Sequence, residues 1–380
     1  MKAEVLQENL KKGIDTVKGA VATRSTLPVI ENILMEATHG GVRLTATNLE
    51  VAVSVGIGGR VDEEGAVTVP TRTLAETVGK WPKARVDLST DGGSVVIVSG
   101  SRKIILNGPP AEDYPPIPDT AGGPKITLKR DYLVEAIRQT VFVAATADDR
   151  PVLMAVRLAA SEGKVAMAAA DGYRLAVKEF PTATPDELAV LIPAATLRLA
   201  RKLLTAKGCD TEDVELHTND KVPTTQASIV LPGTYVPGLT DLRITAQLVL
   251  GTFPNYPGLI PTSWSTRAVA SRKELQAAVK EASVFAAQGS DIIRLHLGAD
   301  SIRLTARAEE VGEYVQEIPA KVEGGENKIA IQSNYLVDAL GALSGEEAAL
   351  EMTTPSSPMV WCDPDDASYV HVLMPMFVQW

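Results

Sequence analysis

Residues 168–177 read AAADGYRLAV, and a similar line stands at 44–53 as LTATNLEVAV. Each has small and apolar residues, then an Asn or Asp, then an apolar alternation. A weaker third version is LTARAEEVGEYV at 304–315. Asn and Asp favour turns because their side chains hydrogen-bond their own backbone two residues on. Apolar alternation is the period of a half-buried strand. The chain therefore writes one strand–turn–strand unit three times.

The echo extends to both sides. Ahead of each copy lies a segment with apolar residues at helical spacing: Leu6, Leu10, Ile14 and Val17, then Leu133, Ile137 and Val141, then Leu275 and Val279. Behind each, a strand-like run leads into a second short helix, in VPTRTLAETVGKW (69–81), IPAATLRLARKLL (192–204) and IQSNYLVDALGAL (331–343). Asn48 and Asp171 stand 123 positions apart, and so do Pro70 and Pro193. From the second copy to the third the offsets are 137 (Ala168 to Thr305) and 139 (Pro193 to Gln332). These periods far exceed the roughly 20–50 residues of solenoid repeats, so each copy should be a domain with its own core.

Connectors fall where the period places them. PPAEDYPPIPDTAGGP (109–124) holds six prolines in sixteen residues and should be a surface linker without regular structure. GTFPNYPGLIPT (251–262) is the second. The implied domains are 1–124, 125–256 and 257–380. The expected fold class is α+β: three similar domains, each with two helices on antiparallel sheets.

Composition narrows the class. A hydrophobic share of 45% with 22% charged residues suits globular domains, and only 4% aromatics means cores of Ala, Val, Leu and Ile. No apolar run approaches the roughly 18 residues of a membrane span, and MKAEVLQENLKKG has no apolar signal core. Cys209 and Cys362 stand apart without metal or disulfide spacing, which agrees with a reducing cytoplasm. Catalytic motifs are missing: no phosphate-cradling loop around GKW (79–81), no nucleophile elbow and no zinc-binding HExxH. His39, His217, His296 and His371 are scattered and are expected as ordinary strand or surface residues, and CDPDD (362–366) as a solvated loop. No metal and no cofactor are expected, and the enzyme reading is weak.

Charge is segregated. The net charge is −10, yet the six helix-like segments sum to +8, leaving −18 for the rest. Residues 194–208 contribute most, with Arg198, Arg201, Lys202 and Lys207 and no acid. Basic helices against acidic sheets point to one electropositive surface. With no base-reading motif beside it, such a surface offers sequence-independent backbone contact.

The chain resembles the bacterial DNA polymerase III β subunit family, the sliding clamps. The residues that carry the likeness run in order along the whole chain: TRSTLPVIENIL (23–34), LTATNLE (44–50), VPTRTL (69–74), ADGYRLAV (170–177), FPNYPGLIP (253–261) and VLMPM (372–376). The resemblance implies a homodimer assembled head-to-tail into a ring around double-stranded DNA, processive replication as its role, and no catalysis of its own. Arg24 and Arg72 match DNA-contacting arginines, and a second-domain contact falls on Pro151 and Val152. A pocket for short peptides of the replicative polymerase, the clamp loader and other clients falls on Leu153, Gly172, Tyr173, Arg174, Leu175, Pro254, Leu259, Val372, Leu373, Met374, Pro375 and Met376. The subunit interface is expected to set Ile104 against Val284 and Phe285. The other reading is a three-domain peptide-binding scaffold, or clamp paralogue, that does not encircle DNA.

Overall fold

The chain is described from a computed structural model, which covers residues 1–120, 122–147, 150–183 and 187–380. All three copies follow one order: strand, helix, four or five strands, helix, three strands. The helices are α1 (Gln7–Val17), α2 (Thr71–Val78), α3 (Arg130–Thr140), α4 (Ala194–Leu204), α5 (Arg272–Ala286) and α6 (Ser333–Ala342). Their apolar stripes are buried: Leu10, Ile14 and Val17 on α1, and Leu275 and Val279 on α5, are at most 1% exposed. Burial of such a side chain contributes about 1.5–3 kcal/mol, which outweighs helix propensity. At Gly13 a Cβ would stand 2.8 Å from Ile57 Cδ1, so α1 lies close on its sheet.

The quoted stretch makes the turn its residues favour. Asn48 Oδ1 accepts from the backbone N–H of Glu50 (3.1 Å) and Val51 (2.9 Å). Asp171 Oδ1 accepts in the same way from Tyr173 (2.9 Å) and Arg174 (3.0 Å). The left-handed position next in line holds Leu49 at φ 75° in the first copy and Gly172 at φ 96° in the second. Antiparallel strands flank each turn: Gly41–Thr47 with Val51–Ile57, and Lys164–Ala170 with Arg174–Pro181. In the third copy Ser301–Ala308 pairs with Gly312–Gly324.

Packing units differ from the copies. One unit comprises Met1–Val134, Ala160–Gly163 and Thr182–Leu250, and the other Glu135–Ala159, Lys164–Pro181 and Gly251–Trp380. In the first, one sheet orders the strands Gly122–Lys129, Asp213–Asn219, Gln226–Val236, Leu239–Gln247, Val51–Ile57, Gly41–Thr47, Asn32–Thr38 and Gly65–Pro70. Leu239 there stands opposite Ile57, and Ala246 opposite Val51, so a backbone ladder joins the second copy to the first. In the second unit Asp366–Leu373 lies along Arg174–Pro181 in the same manner, Leu373 opposite Arg174. A smaller sheet of the first unit runs Gly59–Glu63, Lys2–Leu6, Arg85–Asp91, Ser94–Ser99 and Arg102–Asn107.

Two expectations are corrected. Leu6 is not on α1's buried stripe: it is 50% exposed and ends the strand Lys2–Leu6, whose Ala3 and Val5 are buried. That strand is paired on both flanks, so the ladder takes the backbone groups that a helix would have used. The first connector is not wholly irregular either. Ala111–Asp113 forms a short 3-10 turn, and Gly122–Pro124 already belong to the strand Gly122–Lys129. Tyr114 is buried against Val29 and Ile30, and its hydroxyl donates toward the carbonyls of Thr45 (3.4 Å) and Asn32 (3.5 Å). An aromatic of that size pins the segment despite its prolines. Ala121 of this connector lies outside the described residues.

Candidate functional site

Within the second unit, the Asp171 turn, the segment after α3 and the first turn of α6 converge on a cleft of about 570 Å³. That volume suits a short peptide or a small molecule. Of the expected pocket residues, Leu153, Gly172, Tyr173 and Arg174 line it, beside Phe142, Ala144, Ala145, Thr146, Ala147, Arg150, Asp171 and Tyr335. Leu153 is 5% exposed and forms apolar floor, whereas Tyr173 is 62% exposed.

Arg174 organises the wall. Its Nε donates to Asp171 Oδ2 at 2.9 Å, Nη1 to Asp338 Oδ2 at 2.6 Å and Nη2 to the Phe142 carbonyl at 3.3 Å. The guanidinium also lies 4.4 Å from the Tyr335 ring centroid and 5.6 Å from that of Phe142. Tyr173 stacks on Tyr335 at 6.5 Å. Burial, then the nearby Asp171 carboxylate, raises the Tyr335 phenol above its ordinary value, so it stays a neutral donor. A cation with three of its five N–H donors engaged and an aromatic ring on two sides is a rigid surface, able to stack or accept packing without rearranging.

The remaining expected pocket residues are not among those that line this cavity. Leu175, Val372 and Leu373 are buried in the ladder, Leu175 opposite Val372. Met374 leaves the ladder with its N–H on the Tyr173 carbonyl (2.9 Å), and Met376 N–H reaches the Ala330 carbonyl (2.7 Å). Both methionine side chains are exposed, at 44% and 38%, and Pro375 between them is half-buried. Pro254 and Leu259 are exposed on the second connector. Sequence reasoning missed Phe142, Arg150, Tyr335 and Asp338. For Tyr335 and Asp338 the available signal is the α6 segment SNYLVDAL, where an aromatic and an acid stand three residues apart on one helix.

His371 lies in the strand behind the cleft, as an ordinary strand residue. It is fully buried, stacks on Phe142 at 5.8 Å and shares a 2.8 Å hydrogen bond through Nδ1 with the Tyr369 hydroxyl. Burial lowers it to about 3, which keeps the ring neutral.

Some helical cations are answered by acids one turn away. Lys11 and Lys18 both pair with Asp15 (2.7 and 2.5 Å), and Arg72 pairs with Glu76 at 2.9 Å. The Glu76 carboxylate holds the Arg72 guanidinium above its ordinary value. Arg24 is exposed in the bend after α1, and neither it nor exposed Lys202 has an ion-pair partner among the described residues. Arg198 is exposed on α4; Arg201, one turn on, is half-buried, its Nε buried without a hydrogen bond. Excess positive charge is thus concentrated on α4 and the Arg24 bend. In the second unit Pro151 is exposed and Val152 half-buried, in the short turn Pro151–Met154.

Ile104 is half-buried on Arg102–Asn107, the outermost strand of the smaller sheet, beside Ile105 at 56% exposure. In the other unit Val284 is 59% exposed on the last turn of α5, and Phe285 packs on Tyr314 at 5.8 Å. No helix among the described residues is long and apolar enough to cross a membrane.

A thrice-repeated α+β plan, with sheets continuous from copy to copy and a peptide-sized cleft at one of the joins, defines a clamp-type protein. Residues 1–118, 127–255 and 258–377 match, in turn, the N-terminal, central and C-terminal domains of the DNA polymerase III beta subunit. The chain belongs to that family. It is 28% identical to the beta sliding clamp of Synechococcus elongatus and 29% to that of Streptomyces coelicolor, each match covering 99% of both chains. The crystal structure of the Bacillus subtilis DNA polymerase sliding clamp superposes with a TM-score of 0.92 at 26% identity, covering 100% of both chains. The C. crescentus beta sliding clamp does so at 0.89 and 28%, again over both full chains. The chain is a DNA sliding clamp of replication, without catalytic activity of its own.

Proposed function

We propose that the protein acts as a head-to-tail homodimer, closed into a ring that encircles duplex DNA and tethers the replicative polymerase and other clients to it. The observation that carries this is the family match along all three copies. Domains at 1–124, 125–256 and 257–380 enclose the three matched segments and set six similar domains around the dimer. Arg24, Arg72, Arg198, Arg201 and Lys202 would touch phosphates without reading bases, with Pro151 and Val152 beside them. Enclosure then replaces tight binding, and weak contacts let the ring slide. The free edge that bears Ile104 and the apolar end of α5 at Val284 and Phe285 are the surfaces proposed to close it, since an uncovered edge invites uncontrolled pairing.

The cleft beside Arg174, together with the exposed Met374 and Met376, is the proposed seat of the client peptide. Adaptable thioethers next to rigid aromatics suit Leu and Phe anchors. The cytoplasm, where the DNA it serves is copied, is the compartment this reading assigns. The test is retention on DNA after loading. The protein should stay on closed circular DNA and run off the same DNA once linearised, and light scattering should give about 80 kDa, twice the 40.3 kDa chain. Equal retention on both forms would leave a peptide-binding scaffold as the better description.

A further inference from the structure

The first unit holds a second cleft, of about 490 Å³, between the first connector and the face of the large sheet. The connector bridges it like a strap pinned at both ends. Tyr114 is buried at one end, and at the other Thr120 is 1% exposed, its hydroxyl donating to Ser228 Oγ at 2.9 Å. Between the pins, Pro115, Ile117 and Pro118 give an apolar wall that ends in Asp119, and the sheet beneath gives a polar floor of Thr45, Ser54, Arg43 and Arg243 with Glu36 at its side.

That floor is the unusual part. Arg243 stands opposite Ser54, and Arg43 opposite Gly56, on neighbouring ladders. At the same register positions the second copy has Val370 opposite Val177, and Ala166 opposite Glu179. The fold therefore does not require arginine at either place. Arg243 spends one donor on Thr120 Oγ1 (3.2 Å). Arg43 makes no ion pair among the described residues, although Glu36 faces it across the ladder. Two guanidiniums with donors to spare, held on rigid strands under a preformed apolar wall, are equipped to take oxyanions.

We infer that this cleft binds a short extended peptide in which acidic and apolar residues alternate. Successive side chains of an extended segment point to opposite sides, so carboxylates would meet the arginine floor while apolar groups meet the proline wall. The cleft's volume takes a few residues of such a segment. This goes beyond the client cleft, which lies in the other unit and holds its arginine with its own acids.

The experiment is fluorescence anisotropy on the full-length protein with labelled EVEVE and QVQVQ peptides. EVEVE should bind one saturable site per chain, and QVQVQ at least about tenfold more weakly, since a charged hydrogen bond is about twice as strong as a neutral one. Arg43→Ala and Arg243→Val, which install the second copy's residues, should each weaken EVEVE about tenfold. Ser54→Glu, which plants a carboxylate between the arginines, should abolish binding. Met376→Asp in the client cleft should leave EVEVE binding unchanged, which separates the two sites. Binding that survives Ser54→Glu, or that does not distinguish EVEVE from QVQVQ, overturns the proposal. Inorganic phosphate displacing nothing at tenfold excess over the peptide supports a peptide ligand, and full displacement at that ratio refutes it.

Discussion

Asp171 does two separable things, and the first copy supplies the control. Its Oδ1 closes the turn on the N–H groups of Tyr173 and Arg174, while Oδ2 pairs with Arg174 Nε at 2.9 Å. Asp171→Ala removes both. Two turn bonds, one at an exposed tip where water substitutes, contribute about 1 kcal/mol together. The ion pair joins side chains 14% and 11% exposed, where a charged hydrogen bond contributes about 1.5–3 kcal/mol. The lower end applies, because Arg174 keeps Asp338 at 2.6 Å and is not orphaned. Asp171→Ala should therefore destabilise by about 2.5–3 kcal/mol. Asp171→Asn retains the turn, since Asn48 closes the same turn with its amide oxygen, and should lose only about 1.5–2 kcal/mol. Urea unfolding followed by the fluorescence of Trp361, fully buried in the same unit, measures the difference as a shift in midpoint at constant slope. Asn and Ala variants that unfold at one midpoint would refute the turn's contribution, and a less stable Asn variant would refute the partition altogether.

Three further outcomes are expected. His371 is held neutral with its folded value at about 3 against 6.5 unfolded, so the unfolded chain takes up a proton that the folded one refuses. The stabilisation is complete above pH 6.5 and is lost as pH falls toward 3, at up to about 1.4 kcal/mol per pH unit. His371→Gln should flatten the stability profile between pH 6.5 and 5, and an unchanged slope would mean that other groups set it. Arg24→Ala and Arg72→Ala should weaken DNA binding alike for all sequences, each lowering the salt dependence by about one unit of slope; a loss that varies with base sequence would end the backbone-only account. Met376→Asp should abolish binding of a client peptide with Gln and spaced Leu or Phe, normally of micromolar strength and about −8 kcal/mol, while sizing still shows a dimer. Retained affinity in calorimetry would mean that the pocket is misplaced, and a monomer that VLMPM is mainly structural.

What could be read from residues alone followed the range of the forces involved. The Asn48 and Asp171 turns are closed by bonds two and three residues long, so the repeat and its turn chemistry were legible. Helices α1, α3 and α5 showed through their 3.6-residue period, and α2, α4 and α6 through their place in the repeat. The period misled at Leu6, which continues α1's apolar spacing but sits where Ala3 and Val5 impose a period of two. In the first connector, proline count concealed Tyr114, whose burial depends on strands more than 60 residues away. The cleft was legible only on its local side. Arg174 and its turn could be named, but Asp338 lies 164 positions on, and nothing local announces that a helix will bring it to 2.6 Å.

The two joins between copies show how one frame can carry different chemistry. At the turn in the second copy, the chain leaving Asp366–Leu373 places Met374 N–H on the Tyr173 carbonyl (2.9 Å) and Met376 N–H on that of Ala330 (2.7 Å). After the turn in the first copy, Gln247 N–H meets the Glu50 carbonyl at 2.8 Å and Val249 N–H that of Leu191 at 3.0 Å. These bonds recur at both joins, although the ladder in the first unit has an irregularity between Thr240 and Arg243 that its counterpart lacks, so the bonding beside the turn does not set the sites apart. Side chains do: where the second copy has Gly172 and Arg174, the first has Leu49 and Val51. An arginine can be seated there only with acids in reach, and Asp171 and Asp338 supply them; Asn48 supplies no charge. The same exchange runs the other way on the sheet face, where Arg43 and Arg243 of the first unit stand at the register positions of Ala166 and Val370. Ladders between main-chain groups hold the copies together, which frees these positions from structural duty, and the side chains that fill them differ from join to join.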